Sequence, residues 1–147
     1  MRRKKARNTE RDYSHRSLLD KLGVKEASRV SVVNIESKDF FRQLKERTSD
    51  ITLGRAQRDS DVIFYEANST AELRKLASLK RSIKSNGAIW VVSLKGAKAR
   101  IRDVDVIAAA KAAGLVDNKV VSFSDTSTSL RLVIPVVMRY GRRPTFP

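Results

Sequence analysis

The stretch that decides the fold is Asp61–Ser93, DVIFYEANSTAELRKLASLKRSIKSNGAIWVVS. Its first seven residues form a nearly continuous apolar run, which is typical of a strand covered on both faces. Ser69 and Glu72 have the spacing of a capping box at a helix start, and Asn86-Gly87 is a common helix end. The inward residues of this helix repeat at helical spacing: Leu73, Leu76, Leu79 and Ile83. A second apolar run at residues 88–93 completes a strand–helix–strand unit.

Four more elements are predicted before this unit. Residues 17–23 predict a short helix with leucines on one face and a terminal glycine. The β-branched run RVSVVNI, residues 29–35, predicts a strand. Residues 38–47 place phenylalanine and leucine at helical spacing, and residues 51–53 predict a brief strand.

The pattern continues towards the carboxyl terminus. Residues 95–102 predict a basic loop, and a helix follows from about Asp103 to Gly114. The side chains expected to face the core from this helix are those of Val106, Ile107, Ala110 and Ala113. Residues 119–123 and 130–134 predict two further strands around a loop rich in serine and threonine.

The order of these elements predicts the fold class. Strands that alternate with helices indicate right-handed crossovers and a mainly parallel sheet with helices on both faces. The last two strands are joined by too few residues for a crossover, so they must be antiparallel, and Pro135 ends the final strand or marks a bulge. We predict an α/β, Rossmann-like three-layer sandwich with a C-terminal antiparallel strand. Residues 17–138 would form this single domain, between disordered basic tails at 1–16 and 139–147.

Composition excludes several classes of protein. The 147 residues include no cysteine, which excludes disulfides, cysteine zinc sites and a thiol nucleophile. The one histidine, His15, lies in the charged leader, so no histidine metal site or Ser-His-Asp triad is expected. No apolar run approaches roughly 18 residues, the length of a transmembrane helix. Asp20 and Lys21 interrupt any signal-peptide core, and we expect a cytoplasmic protein with no membrane partner.

Charge is the strongest feature of the composition. Lys and Arg number 31 against 16 Asp and Glu, a net charge of +15, and ten of the basic residues lie in the two tails. Such a surplus attracts polyanions through counterion release. The candidate polyanion-binding residues are Arg2, Arg3, Lys4, Lys5, Arg74, Arg81, Lys84, Lys98, Arg100, Arg142 and Arg143. No base-reading motif accompanies them, so the alternatives are non-specific binding of nucleic acid or an acidic protein, and a merely solvated basic face.

The turn after the first strand bears on cofactors. Dinucleotide and S-adenosylmethionine sites need glycine there, because only a residue without Cβ lets the backbone approach the cofactor closely. Here the turn is NIESKD, residues 34–39, without glycine, and a Walker A loop is also missing. We therefore expect no cofactor and favour a protein without catalytic activity.

Ligands of open α/β sheets bind beyond the carboxyl ends of the strands. The candidate residues for such a crevice are Asn34, Glu66, Asn68, Ser93 and Lys95. Glu66 and Lys95 flank the same edge, where they would pair either as an acid–base site or as an ordinary surface ion pair.

Two stretches of the chain resemble known families. Residues 61–133 resemble the second half of the class I S-adenosylmethionine-dependent methyltransferase fold. Residues 113–120, Ala-Gly-Leu-Val-Asp-Asn-Lys-Val, resemble a motif of a family of small bacterial proteins catalogued as a domain of unknown function. Residues 21–26 and 87–92 resemble other pieces of that family. The resemblance implies a Rossmann-like fold and a bacterial source, and it implies no established reaction.

Three hypotheses about function follow. The first is a non-catalytic binding or regulatory module whose basic tails engage nucleic acid or an acidic protein. The second is a small-ligand receptor or an enzyme of methyltransferase-like ancestry that uses the crevice. The third is self-association through the sheet edge formed by the final strands. The missing cofactor glycines and the charged tails favour the first.

Overall fold

Six strands form one sheet in the computed structural model, which describes residues 17–138. In chain order the strands are β1 (Arg29–Val33), β2 (Asp50–Leu53), β3 (Ser60–Glu66), β4 (Ile83–Leu94), β5 (Val116–Ser122) and β6 (Ser127–Val133). The α-helices are α1 (Leu18–Lys21), α2 (Lys38–Arg47), α3 (Thr70–Leu73), α4 (Leu76–Lys80) and α5 (Asp103–Ala112). Across residues 17–138, no helix has the length and apolar character required to cross a membrane.

The order of strands across the sheet is β2-β1-β3-β4-β6-β5. The first four of these are parallel, and β6 lies antiparallel between β4 and β5. Strand β6 ends at Val133, two residues before Pro135, because proline has no N–H to donate to the ladder. The predicted α/β, Rossmann-like class with a mainly parallel sheet is confirmed.

Helices cover both faces of the sheet. On the first, here called the α1–α2 face, Phe40 of α2 meets Phe64 of β3 edge-on, with ring centroids 5.0 Å apart. Trp90 of β4 is fully buried on the same face, and its Nε1 donates to the carbonyl oxygen of Leu22, 3.1 Å away. On the opposite α3–α5 face, the leucines of α3 and α4 pack with Val106 of α5. Burial on both faces explains why residues 62–65 of β3 and 88–92 of β4 are continuously apolar.

The prediction of one helix from Ser69 to Gly87 is wrong in its second half. The chain forms two short helices, α3 and α4, and Ile83 already belongs to β4, from which its β-branched side chain enters the core. Residues 84–86 then bulge out of the ladder between β3 and β4. Gly87 ends no helix: a Cβ there would lie 2.9 Å from the carbonyl oxygen of Asp61, so the close approach of the two backbones requires glycine.

Helix α5 corrects a second prediction. Val106 and Ala110 are buried, as expected, and Ala113 is partly buried against the same core. Ile107, which was expected to face inwards, is 37% exposed. Successive residues lie about 100° apart around a helix, so burial of Val106 turns Ile107 towards the outer side.

Candidate functional site: the switch-point network and the basic surface

The connections of the sheet change direction between β1 and β3. The chain leaves β1 towards β2 on one side and then returns past β1 to β3 on the other. In open α/β sheets the ligand crevice lies at such a switch point, beyond the carboxyl ends of the strands. Asn34 follows β1, and Glu66 to Asn68 end and follow β3, so these residues lie at the predicted crevice.

Asn34 connects the ends of β1 and β3 at the switch point through its side chain. Its φ of 65° is in the left-handed region, which asparagine tolerates better than most residues. Its Nδ2 donates to the carbonyl oxygen of Glu66, at 2.9 Å, and to Oε2 of Glu72, at 3.4 Å. The next residue, Ile35, is buried in the core of the α1–α2 face. Asn34 therefore stands at the turn after β1, where dinucleotide-binding folds have glycine.

Glu72 joins this network, although the sequence indicated it only as a helix cap. The hydroxyl of Ser69 accepts from the Glu72 amide at 3.1 Å, as a capping box requires. The Glu72 carboxylate accepts from the amide of Asn68, at 2.7 Å, instead of the expected Ser69 amide. Asn68 also donates to Oε2 of Glu66, at 3.0 Å, and accepts from the amide of Leu94, at 2.8 Å. Asn68 thus ties the end of β3 to the end of β4.

A buried tyrosine supports the network from the α3–α5 face. The hydroxyl of Tyr65 donates to the carbonyl oxygen of Glu72, 2.8 Å away. Burial, and secondly the negative charge of Glu72, raise the pKa of Tyr65 above its ordinary value. A phenol with a raised pKa stays protonated at neutral pH, so it acts here as a hydrogen-bond donor and not as a base.

Within residues 17–138, the side chains of the other two predicted crevice residues make no hydrogen bond to this network. Lys95 does not pair with Glu66: its Nζ donates to the hydroxyl of Ser122, at 2.7 Å. The backbone of Lys95 donates to Thr126, at 3.0 Å, so both contacts join the end of β4 to the β5–β6 hairpin. Ser93 is buried, and its hydroxyl has no hydrogen-bond partner within residues 17–138. In the part of the chain that the structure describes, no group of three or more histidine, aspartate or glutamate side chains could hold a metal ion.

A cleft of about 530 Å³ lies at the opposite edge of the sheet, where the parallel strands begin. Its polar lining includes Lys25, Asp61, Lys84 and Arg131. Lys84, a predicted polyanion-binding residue, makes an ion pair of 3.0 Å with Asp61, which also accepts from the amide of Arg29 at 2.8 Å. No local sequence signal indicates this cleft, because it depends on the outward bulge of residues 84–86.

The basic residues of the α3–α5 face form the strongest charged feature of the described chain. Between Glu72 and Asp103 the sequence has nine basic residues and no acidic one. They are Arg74, Lys75, Lys80, Arg81, Lys84, Lys95, Lys98, Arg100 and Arg102. Arg74 and Lys75 lie between α3 and α4, Lys80 ends α4, and Arg81 follows it. Lys84 lies in the bulge, and the other four belong to the loop after β4. Because Lys84 pairs with Asp61, we exclude it and call the other eight residues the basic surface.

Ion pairing distinguishes α2 from the basic surface. Around α2, Arg47 pairs with Asp20 at 3.0 Å, and Arg42 pairs with both Asp39 and Glu46. Arg29 of β1 pairs with Asp50 of β2 at 2.9 Å. On the basic surface, Arg74, Lys98 and Arg100 are exposed and have no ion pair within residues 17–138. Within residues 17–138, the side chain of Arg81 donates to the carbonyl oxygen of Ala77 in α4, at 3.4 Å, and makes no ion pair. The remaining predicted polyanion-binding residues lie outside the described residues: Arg2, Arg3, Lys4, Lys5, Arg142 and Arg143.

Solved structures similar to this chain include methyltransferases. A putative type 11 methyltransferase from Sulfolobus solfataricus matches with a TM-score of 0.57 at 14% identity, over 88% of this chain and 95% of that one. A putative methyltransferase from Thermoplasma acidophilum gives 0.57 at 9% identity, over 80% and 72%. A TehB-like SAM-dependent methyltransferase from Corynebacterium glutamicum gives 0.52 at 12% identity, over 80% and 85%. The likeness shows the fold alone: the chain has the Rossmann-like fold of class I methyltransferases.

No protein-family model matches the sequence, and the search of curated proteins finds no match. The resemblance to the small bacterial family therefore stays a prediction. The methyltransferase resemblance, which the sequence indicated for residues 61–133, is confirmed at the level of the fold.

Proposed function

We propose that this chain is a non-catalytic module that binds nucleic acid through its basic surface, on a fold of methyltransferase-like ancestry. The observation that carries the proposal is the run of basic residues from Arg74 to Arg102, which no acidic residue interrupts. Exposed cations without acidic neighbours release counterions when they contact phosphates, and this supplies affinity without base recognition. The predicted cytoplasmic location, where RNA and DNA are abundant, is part of the proposal.

The aromatic residues favour contact with the nucleic-acid backbone over contact with bases. Proteins that hold single strands usually stack bases on exposed aromatic side chains. In residues 17–138, Phe40, Phe64, Tyr65 and Trp90 are buried, and Phe41 and Phe123 pack against the core. Since this part of the chain offers no exposed aromatic platform, we expect binding to duplexes of any sequence.

The switch point supports the absence of catalysis. Asn34, Glu66, Asn68 and Glu72 direct their polar groups to one another and to backbone amides and carbonyls. A cofactor at this position would have to displace the Asn34 side chain and approach a turn that carries Cβ atoms throughout. The alternative, an adenosyl-binding enzyme, therefore requires a rearrangement of this network.

The nucleic-acid proposal is tested by removing charge from each face in turn. The variant K98Q/R100Q takes two cations from the basic surface, and K38Q/K45Q takes two exposed cations from α2 as a matched control. Fluorescence anisotropy with a mixed-sequence DNA duplex measures affinity at several salt concentrations. We expect K98Q/R100Q to reduce the slope of log affinity against log salt by roughly 2, and K38Q/K45Q to leave it unchanged.

Three results would contradict the proposal. The first is that the wild-type chain shows no duplex binding at about 50 mM salt, a concentration at which proteins that bind nucleic acid non-specifically bind measurably. The two variants would lose the same amount of affinity, which would indicate net charge and not this surface. Polyglutamate would compete as well as a second duplex, which would favour an acidic protein partner.

The non-catalytic part is tested by thermal unfolding with S-adenosylmethionine and S-adenosylhomocysteine. A ligand at 100 times its dissociation constant stabilises a protein by about 2.7 kcal/mol, which raises Tm by roughly 5–10 °C for a chain of this length. We expect no shift with either compound. A reproducible rise in Tm would support the enzyme alternative.

A further inference from the structure

Helix α5 is apolar on two sides. Its inner side buries Val106 and Ala110 against the sheet. A second stripe, at helical spacing i, i+3, i+4 and i+7, points outwards: Val104, Ile107, Ala108 and Lys111. Val104 is 59% exposed. The outer side of a surface helix is normally polar, so this stripe is a candidate interaction surface.

The outer stripe of α5 lies at the free edge of the sheet. Helix α5 packs on β5, and β5 is the outermost strand. Val120 of β5 is 57% exposed. It pairs with Leu130, which is buried in the α3–α5 core, so the Val120 side chain lies on the same sheet face as α5. We call Val104, Ile107, Ala108 and Val120 the α5 flank.

We propose that the α5 flank binds the α5 flank of a second copy of this chain across a two-fold axis. Asp103, Ile107 and Lys111 lie on one row of the helix, at i, i+4 and i+8, and the two charges of this row are complementary to themselves when the helix is reversed. Asp103, exposed at the first turn, and Lys111, exposed at the last, are about 12 Å apart along the axis, with the apolar residues between them. Antiparallel packing of two copies sets Asp103 of each against Lys111 of the other, as an isologous contact requires.

Two further features favour this geometry. Ala108 at the centre of the stripe is small enough for two helices to approach closely, and antiparallel helix dipoles attract. The ladder between β5 and β6 has a register shift between Asp117 and Lys119, a bulge that hinders the addition of another strand to this edge. The contact is therefore made by the helices and Val120, and not by a continuous sheet. The basic residues of α3 and α4 are not part of it.

The proposal is tested on the full chain by sedimentation velocity at about 1–100 μM, a range that covers moderate self-association. We expect the wild-type chain to sediment at twice the 16.5 kDa monomer mass at the upper concentrations. Val104→Glu places an uncompensated charge in the contact and should raise the dimer dissociation constant by about 100-fold or more. The new carboxylate lies in the first turn of α5, where it suits the helix dipole, so the variant should fold.

The matched control is Leu53→Glu. Leu53 is 51% exposed on β2, at the opposite edge of the sheet, and its variant adds the same charge to the chain. It should remain a dimer. A wild-type chain that stays monomeric at about 100 μM, or a Val104→Glu variant that dimerises as well as Leu53→Glu, would overturn the proposal.

Charge reversal tests the antiparallel arrangement directly. Asp103→Lys and Lys111→Asp should each dimerise more weakly than the wild-type chain, because each then places like charges opposite one another at exposed positions. An equimolar mixture of the two should form a mixed dimer, in which lysine again faces aspartate at both positions. A mixture that remains monomeric while the wild-type chain dimerises would overturn the proposed pairing. None of these masses depends on nucleic-acid binding, so this proposal can fail while the proposed function stands.

Discussion

Asn34 performs two tasks at once: it adopts a left-handed backbone conformation and joins β1 to β3 with its amide. These contributions can be separated by two substitutions. Asn34→Gly keeps the backbone conformation and loses only the side-chain hydrogen bonds, for an expected cost of about 1 kcal/mol. Asn34→Ala loses the bonds and also strains the backbone, for about 2 kcal/mol or more. Urea unfolding measures both, and a glycine variant less stable than the alanine variant would contradict this account.

Tyr65, through its protonation, makes the stability of the fold depend on pH in the alkaline range. Because burial raises its pKa in the folded state, the folded chain binds this proton more tightly than the unfolded chain does. The resulting stability is fully present below the ordinary tyrosine pKa of about 10 and is lost as pH rises through the folded value. Phenolate absorbance should show one of the three tyrosines titrating later than the other two. Tyr65→Phe should remove that late component; a uniform loss of signal would contradict the assignment.

At the scale of elements, the junction of α4 and β4 depends on one glycine. A Cβ at Gly87 would lie 2.9 and 3.0 Å from two backbone carbonyl oxygens of β3, neither of which can move without disturbing the ladder. Gly87→Ala should therefore destabilise the chain by about 2 kcal/mol or more. Gly96→Ala is the comparison, since Gly96 has a positive φ but nothing within 4 Å of its Cβ position, and should cost about 1 kcal/mol. Equal losses in thermal or urea unfolding would show that the bulge relaxes.

Elements whose capping residues and apolar spacing are both visible in the sequence could be predicted from it. Helix α2 has the predicted bounds because Ser37 caps it, accepting from the amide of Phe40 at 3.2 Å, and because its apolar residues repeat at helical spacing. The break between α3 and α4 and the bulge after Ile83 carry no such signal, since both follow from the fit of α4 and β4 onto β3. The switch-point network was predicted in part for the same reason, while a ligand crevice there stays a prediction. Strand ends brought Asn34, Glu66 and Asn68 together, but the partner of Lys95 lies 27 residues away, on the hairpin.

For the whole molecule, the basic surface and the α5 flank should act independently. The variant K98Q/R100Q should keep the sedimentation behaviour of the wild-type chain while its salt-dependent affinity for a duplex falls. Val104→Glu should be monomeric and should keep the wild-type dependence of duplex affinity on salt, because it removes no cation from the basic surface. The same two preparations, measured by sedimentation and by anisotropy, check both statements. Loss of both properties in either variant would indicate a single shared surface.

The position of β6 has a consequence for biosynthesis. Although it is the last of the six strands within residues 17–138, β6 lies inside the sheet, between β4 and β5. A nascent polypeptide released before residue 127 would leave the apolar edge of β4 without a neighbour, and β5 without any partner at all. Such an unpaired edge recruits other chains. Premature termination upstream of β6 should therefore produce inclusion bodies or proteolytic fragments. In the full-length chain, the sheet is completed only after β6 has left the ribosome.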